Sequence, residues 1–438
     1  MNNKMIAIIA VVILAVAGVS AILYYTLGND KPSYDDRGRL MILGNANNDD
    51  YINEDDIDYL RAIIDGEVEK SPLADANNDG KIDEGDIEFV RRMISLNEKI
   101  ASGASYQKMM VYYLNPHGDA INIASVNYPL ERVAVVGSNV AVTVKLIGAT
   151  DKVKCRAGGT WDETLFSDMI RLPTISDSIF QAQYELTMQH VVNRGSLDAI
   201  LTLDSASYVP NYQDFENSGI KVVRSSSSDG VESISGALTM GYLLGAFEGS
   251  HKYVQFCDEV LNYVQSKVGS KRASDRVTSL SVTMSNYMGG LPSDYYAATQ
   301  LAGSKNLADW NTTTQRFNIG DEWLLNKKYD ADFIIHMRGI GYGNVDADDI
   351  WNTYSIYFKT MGAYVDGNYY IVNGSMPVAL RVLYMAHVFY PGLVTEGYIA
   401  EKHQYCIDNF MKNLSEQNYR VSDGTFIISI GMVSEQYR

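Results

Sequence analysis

Residues 45–86 carry one twelve-residue pattern twice, 30 residues apart. The first copy reads Asn45-Ala-Asn47-Asn-Asp49-Asp50-Tyr51-Ile52-Asn53-Glu-Asp-Asp56. The second reads Asp75-Ala-Asn77-Asn-Asp79-Gly80-Lys81-Ile82-Asp83-Glu-Gly-Asp86. A hard cation such as Ca²⁺ takes roughly six to eight oxygens, and a twelve-residue loop supplies them from alternate positions, one backbone carbonyl and a final carboxylate. The expected donors are Asn45, Asn47, Asp49, the Tyr51 carbonyl, Asn53 and Asp56. In the second loop they are Asp75, Asn77, Asp79, the Lys81 carbonyl, Asp83 and Asp86. Two Ca²⁺ ions are thus expected, the second bound more tightly because its loop offers more carboxylates.

The sixth position needs a sharp turn. Gly80 provides it in the second loop. Asp50 stands there in the first, a residue that enters the left-handed region more readily than most. Ile57, Leu60 and Ile64, then Ile87, Val90 and Ile94, recur at helical spacing after each loop, which predicts helices over 56–64 and 86–96. No helix-forming run precedes either loop, so the unit is loop then helix. Residues 30–100 hold nineteen acidic and nine basic side chains, but a merely solvated acidic linker does not require two patterns in register. The pair resembles a dockerin module, here over residues 38–98. The resemblance implies a cohesin module as partner, recognised through loop positions 10 and 11. Those are Glu54-Asp55 and Glu84-Gly85, which depart from the hydroxyl pairs common in that family.

Lys4 precedes an apolar run from Met5 to Leu27. At 1.5 Å per residue it makes roughly 34 Å of helix, enough for a bilayer core of about 30 Å. It is expected to be a transmembrane signal anchor that leaves the bulk of the chain extracellular. Val19-Ser20-Ala21 offers a cleavage site for the secreted alternative. The net charge of −17 argues against nucleic acid as a partner. Cys155, Cys257 and Cys406 are far apart, which disfavours a zinc ribbon or a disulfide framework.

Beyond a linker at 99–117, short apolar strands alternate with helices, which predicts an α/β fold. Strands are expected at 129–136, 153–155, 198–203 and 220–223, then at 276–284, 332–335 and 368–372. A long amphipathic helix at 248–268 divides the two sets. The architecture expected is two Rossmann-like lobes, 118–247 and 275–438, joined by that helix and preceded by the transmembrane helix and a small α-helical module with two calcium loops.

Several segments carry a family resemblance. They are Pro129–Val136, Leu146-Ile-Gly-Ala-Thr-Asp-Lys-Val153, Leu197-Asp-Ala-Ile-Leu201, Leu301-Ala-Gly-Ser-Lys-Asn306 and Glu322-Trp-Leu-Leu followed by Asp332-Phe-Ile-Ile335. In order and spacing they resemble the solute-binding proteins of ABC importers with a helical backbone, the group that captures ferric siderophores, haem or cobalamin. Leu197 replaces a usual proline, and Ser304 is inserted.

The resemblance implies an iron chelate or tetrapyrrole in a cleft between the lobes, an ABC permease as partner, and no catalysis. Ligands of such sheets sit at the carboxyl ends of strands. The candidates there are Ser138, Asn139, Arg156, Trp161, Asp204, Ser205 and Ser225 in the first lobe, and Tyr287, His336, Arg338 and Asn373 in the second. Arg156 and Arg338 can fork onto anionic oxygens, and Trp161 and Tyr287 can form walls. Permease docking falls on Glu185 and Glu322. No GxSxG, Walker loop or GxGxxG after a strand supports an enzyme, and Gly339-Ile-Gly341-Tyr-Gly343 lacks the spacing and helix of a phosphate loop. The alternative is a calcium-dependent dockerin–cohesin scaffold whose α/β part does not transport.

Overall fold

The computed structural model describes residues 39–118, 120–225, 230, 232–284, 287–290, 293–309, 312, 316–318 and 330–437. The apolar run 5–27 and Glu322 lie outside them. Among the described residues no helix is long and apolar enough to cross a membrane.

The two repeats fold as loop then helix. Helix α1 spans Glu54–Ile64 and α2 spans Glu84–Ser102. Each starts two residues before its expected boundary because a capping box closes it. Asn53 and Asp83 accept from the helix backbone, and the Asp56 and Asp86 carboxylates accept from the cap N–H. Ile57, Leu60 and Ile63 are buried, whereas Ile64, expected on that face, is 44% exposed at the helix end. Gly80 turns with φ +89° and Asp50 does not; the left-handed residues of the loops are Asn48 and Asn78.

The expected linker at 99–117 is mostly ordered. Helix α2 runs to Ser102 and is ended by Gly103 at φ +68°. Strand β1 (Met109–His117) then pairs antiparallel with β2 (Ala120–Tyr128). Met109, Val111 and Tyr113 alternate inward, which gives the strand a buried face, and Ile42 bridges to Tyr113. The lobe therefore begins before residue 118, and the loop–helix pair shares one apolar core with it.

The first lobe is a parallel sheet in the order β4-β3-β5-β6, with β3 Val133–Val135, β4 Val153–Arg156, β5 Ala199–Leu203 and β6 Lys221–Ser225. Its central strands are buried on both faces, as parallel strands covered by helices must be. Those helices are α3 (Ser138–Leu146), α4 (Tyr184–Arg194), α5 (Tyr212–Asn217) and α6 (Glu232–Leu243). Helix α7 (Phe247–Val268) leads to the second lobe.

That lobe is a mixed sheet rather than a second parallel Rossmann unit. Strands β7 (Thr278–Met284), β11 (Phe333–Arg338) and β12 (Tyr369–Asn373) are parallel; β8 (Tyr287–Gly289), β10 (Arg316–Asn318) and β13 (Ile427–Ser429) add antiparallel edges, and β9 (Lys305–Asn306) pairs with β7. Its helices are α8 (Asp294–Leu301), α9 (Ala347–Ser355), α10 (Gly362–Val365), α11 (Val378–Phe389), α12 (Glu396–Phe410) and α13 (Lys412–Ser415).

A buried lysine stitches the lobes together. Lys145 of α3 reaches both oxygens of Asp168 at 2.6 Å and Asn413 Oδ1 of α13 at 2.8 Å, and Asn413 Nδ2 donates to the carbonyls of Thr164 and Leu165.

His403 is buried in α12 between the hydroxyls of Tyr384 (2.9 Å) and Tyr342 (3.4 Å), and burial pushes its imidazole down to about 3 from an ordinary 6.5. Below pH 6.5 the unfolded chain takes up a proton there that the folded chain refuses until about pH 3. Stability is expected to be complete above pH 6.5 and to fall towards pH 3 by about 1.4 kcal/mol per pH unit from this group. Urea unfolding of His403→Gln beside the parent, from pH 7 to pH 4, should show a shallower decline in the variant; equal slopes would refute the assignment.

Candidate functional site

A cleft of about 390 Å³ lies between the lobes. Its first wall comes from the start of α3, which follows the carboxyl end of β3, and from the loop after β4. Its second comes from the carboxyl ends of β11 and β12 and the start of α11. This is where a doubly covered sheet leaves room for a ligand. Tyr253 of α7 closes one side.

Four of the eleven expected ligand residues line this cleft: Ser138, Asn139, Trp161 and Arg338. Trp161 is packed with its indole N–H on the Gly158 carbonyl at 3.0 Å. Arg338 contributes to the wall at the end of β11, but its guanidinium donates to the Thr283 carbonyl at 3.2 Å and stacks 4.7 Å over Tyr354, the ring that also packs on His336.

Arg156, the other expected anion binder, sits behind Trp161, 5.0 Å over the ring, and donates to the carbonyls of Ala157 and Ile170. It supports the wall without forming it. Asn373 does likewise in the second lobe. Its side chain donates to the carbonyls of Gly341 and Thr425 and accepts from the N–H groups of Ile340 and Ser375, fixing two wall loops at once.

The other candidates lie elsewhere. His336 is fully buried, bonded to the Tyr369 hydroxyl at 2.7 Å beside Tyr354 and Phe358. Alternation along β11 sends Ile335 and Met337 towards the inter-lobe core and Ile334 and His336 to the opposite face. Asp204, Ser205 and Ser225 close the ends of β5 and β6 without lining the cleft. The Asp204 amide donates to the Ser225 carbonyl, and burial raises its carboxyl to about 6 against the lowering effect of Arg224. Tyr287 is on β8, between β10 and β7, and Glu185 stands exposed in the first turn of α4.

Sequence reasoning missed Asp162 and Ser375. Asp162 belongs to the first lobe, yet its carboxylate accepts from the Tyr342 N–H at 3.2 Å and from the Leu165 N–H. Ser375 accepts from the Gly341 N–H at 3.1 Å. The glycines of 339–343 have their reason here. Gly341 has φ +80°, and a Cβ on it would lie 1.9 Å from Asp162 Oδ2; one on Gly343 would meet Thr164. The stretch is a contact between lobes, which a glycine-rich signature without a phosphate-loop spacing gave no means to recognise.

The repeat loops share one geometry. Asn45 and Asn47 accept from the Asp49 N–H at 3.1 and 3.0 Å, and Asp75 and Asn77 accept from the Asp79 N–H at 3.0 and 2.9 Å. Asp49 accepts from Tyr51 N–H and Asp79 from Lys81 N–H. Asn53 and Asp83 are the helix caps. Among the described residues no three His, Cys, Asp or Glu side chains are grouped as around a metal ion. The loop oxygens nonetheless suit Ca²⁺ in kind: they are hard amide and carboxylate acceptors with further lone pairs, and Asp56 and Asp86 are fully buried. Burial drives Asp56 up to about 7 and Asp86 also upward, as expected of carboxylates lacking a positive partner.

No protein-family model and no curated protein matches the chain. Solved structures do. A periplasmic solute binding protein from Veillonella parvula is similar with a TM-score of 0.52 at 15% identity, over 72% of this chain and 95% of that one. CeuE of Helicobacter pylori, solved with nickel and histidine, gives 0.51 at 14% identity over 71% and 99%. MolA of Haemophilus influenzae, bound to molybdate, gives 0.50 at 12% over 69% and 95%. At these identities the likeness establishes the fold: an α/β architecture of the kind found in periplasmic solute-binding proteins.

Proposed function

We propose that the protein is the extracellular substrate-binding component of an ABC importer and that its cargo is a compact, anionic iron chelate. The observation that carries this reading is a pair of opposed helix ends. Helices α1, α2, α8, α9 and α12 are each capped by a side chain. Helices α3 and α11, which begin on opposite walls of the cleft, have Gly137 and Pro377 at their caps, no side-chain cap and no acidic residue in the first turn. Each end carries roughly half a positive charge, and the two favour an anion between them; in this reading the Arg338 guanidinium turns from Tyr354 to meet it. The cleft volume is at the lower end of the roughly 300–1,000 Å³ usual for small-molecule sites, which favours a chelate over a whole tetrapyrrole. The solved neighbours named for solute binding support capture rather than catalysis.

In this reading residues 5–27 anchor the chain, Glu185 and Glu322 meet the permease, and the two loops bind Ca²⁺. The Ca²⁺ ions hold loop backbone in place and take no part in cargo chemistry. A second reading, docking to a cohesin, is favoured by one observation: Glu54, Asp55, Glu84 and Gly85, the recognition positions of the repeats, are all exposed.

Trp161 in the cleft wall supplies the assay. Ferric siderophores, haem and cobalamin titrated into the purified chain are expected to give saturable quenching with a ferric chelate. Flat titrations with all three classes, on protein shown to be folded, would overturn the transport reading. Arg338→Gln should weaken chelate binding by roughly 10- to 100-fold, the value of a charged hydrogen bond. Unchanged affinity would remove Arg338 from the site.

The contacts of Lys145, Asn413 and Asp162 across the lobes leave little room for a hinge, so closure on the ligand should be small. Gly341→Ala forces Asp162 away and strains a positive φ. It should cost roughly 1–3 kcal/mol in unfolding free energy and weaken chelate binding with it. Scattering profiles with and without chelate would check the rigidity; a large change in radius of gyration would contradict it.

A further inference from the structure

The two calcium loops are alike in backbone and unlike in what surrounds them. In the second loop Asp79, Gly80 and Lys81 are exposed. In the first loop the matching Asp50 and Tyr51 touch helix α7, although Tyr51 keeps 46% of its surface exposed. Arg39, only 7% exposed, forks between two carboxylates. It bonds Asp258 of α7 at 2.6 and 3.1 Å and pairs with both oxygens of Asp50. His251 of α7 bonds the Asp50 carbonyl through Nε2 at 2.8 Å, while its Nδ1 is tied to the Phe247 carbonyl at 2.8 Å. The Tyr51 ring lies on the His251 ring, 4.3 Å between centroids and 13° from parallel. Two residues further along α7, Tyr253 lines the cleft.

We infer that the calcium ion of the first loop is a structural ion of the two lobes, holding Asp50 and Tyr51 against α7 and so stabilising the helix that joins them. The inference rests on the calcium reading of the loops given above and goes beyond it, since loops of this kind can bind Ca²⁺ without affecting any neighbour. It also gives a reason for Asp50 where the second loop has Gly80: the position is used as a carboxylate anchor for Arg39, and the left-handed residue of this loop is Asn48 alone. The Tyr51 carbonyl is an expected Ca²⁺ donor, and its N–H is held by Asp49, another donor. An ion drawing these oxygens together fixes the same two residues that α7 grips. Ligands that bind only the folded state raise its stability by mass action, and here that gain reaches beyond the loops.

The sequence supplies a reporter. All four tryptophans, Trp161, Trp310, Trp323 and Trp351, lie outside residues 39–105, so tryptophan emission follows the lobes and not the repeats. The full chain is first stripped with a calcium chelator, then melted with and without added Ca²⁺ while emission is followed; calorimetric titration reports Ca²⁺ binding separately. Calcium is expected to raise the tryptophan-detected midpoint by roughly 5 °C. Asp49→Ala in the first loop should abolish most of that shift, and Asp79→Ala in the second should leave most of it. Arg39→Gln should keep the binding heat and lose the shift, with His251→Ala as a second variant that tests the same contact should the first fail to fold. Calcium that binds with no change in the tryptophan midpoint would overturn the coupling while leaving the calcium sites standing. An absence of binding heat in the parent chain would overturn the calcium reading and the inference with it. Equal loss of shift from both loop variants would overturn the assignment to the first loop.

Discussion

Burial of one face of α7 is the constraint on which the rest of the molecule depends. Phe256, Cys257, Val260, Leu261, Val264 and Val268 are removed from water against α6, α11 and α12. At about 25 cal/mol per Å² of apolar surface this is the largest kind of stabilising term the lobes possess. A 22-residue helix packed against elements from both sides cannot bend without exposing that face. The lobes are therefore held at one separation, and the cleft is preformed. The same helix receives the first repeat loop on another part of its surface, through Asp258 and His251.

Buried polar groups then tie the parts together. Lys145 is 3% exposed, and burial lowers the pKa of its ammonium even with Asp168 beside it. Such a pair is weak evidence for net stability, because desolvation offsets most of its Coulomb gain, but it is strict about geometry. Its third partner, Asn413, comes from the other lobe. Asn373 and Asp162 act in the same way at the cleft, each satisfying backbone donors from loops that would otherwise be independent. Asn373 thus holds the loops of the cleft wall from behind, while Asp162 and Trp161 are part of the wall itself. The ends of α3 and α11 face each other across the cleft.

Much of the architecture was legible in the residues. Continuous apolar runs such as Ala199–Leu203 mark strands buried on both faces, and the spacing of Tyr253, Phe256, Val260 and Val264 marks α7. What failed has particular causes. The segment 109–117 read as linker because its alternation is modest and its partner β2 follows a turn. The second sheet read as parallel because its antiparallel strands β8, β10 and β13 are only three residues long, too short to show a period. His336 read as a site residue because a strand buried on both sides gives no sign of which face looks at the cleft.

The sequence by itself determined the repeat loops and their helices, the alternation of strands and helices, and the division at α7, since each depends on contacts or spacings within a few residues. Only the tertiary structure decided which strand-end side chains face the cleft. Arg156 and Arg338 stand at equivalent ends of β4 and β11, and nothing local separates them. The chain after β4 folds back beside it, with Arg156 bonded through its backbone to Pro173 and Ile175, and this turns its guanidinium onto Ala157 and Ile170 carbonyls. No such return covers Arg338, which keeps its place at the wall. The use of Asp50 was settled in the same way: its partners Arg39 and His251 lie more than two hundred residues apart in the chain, and only folding brings their hydrogen-bonding groups to it.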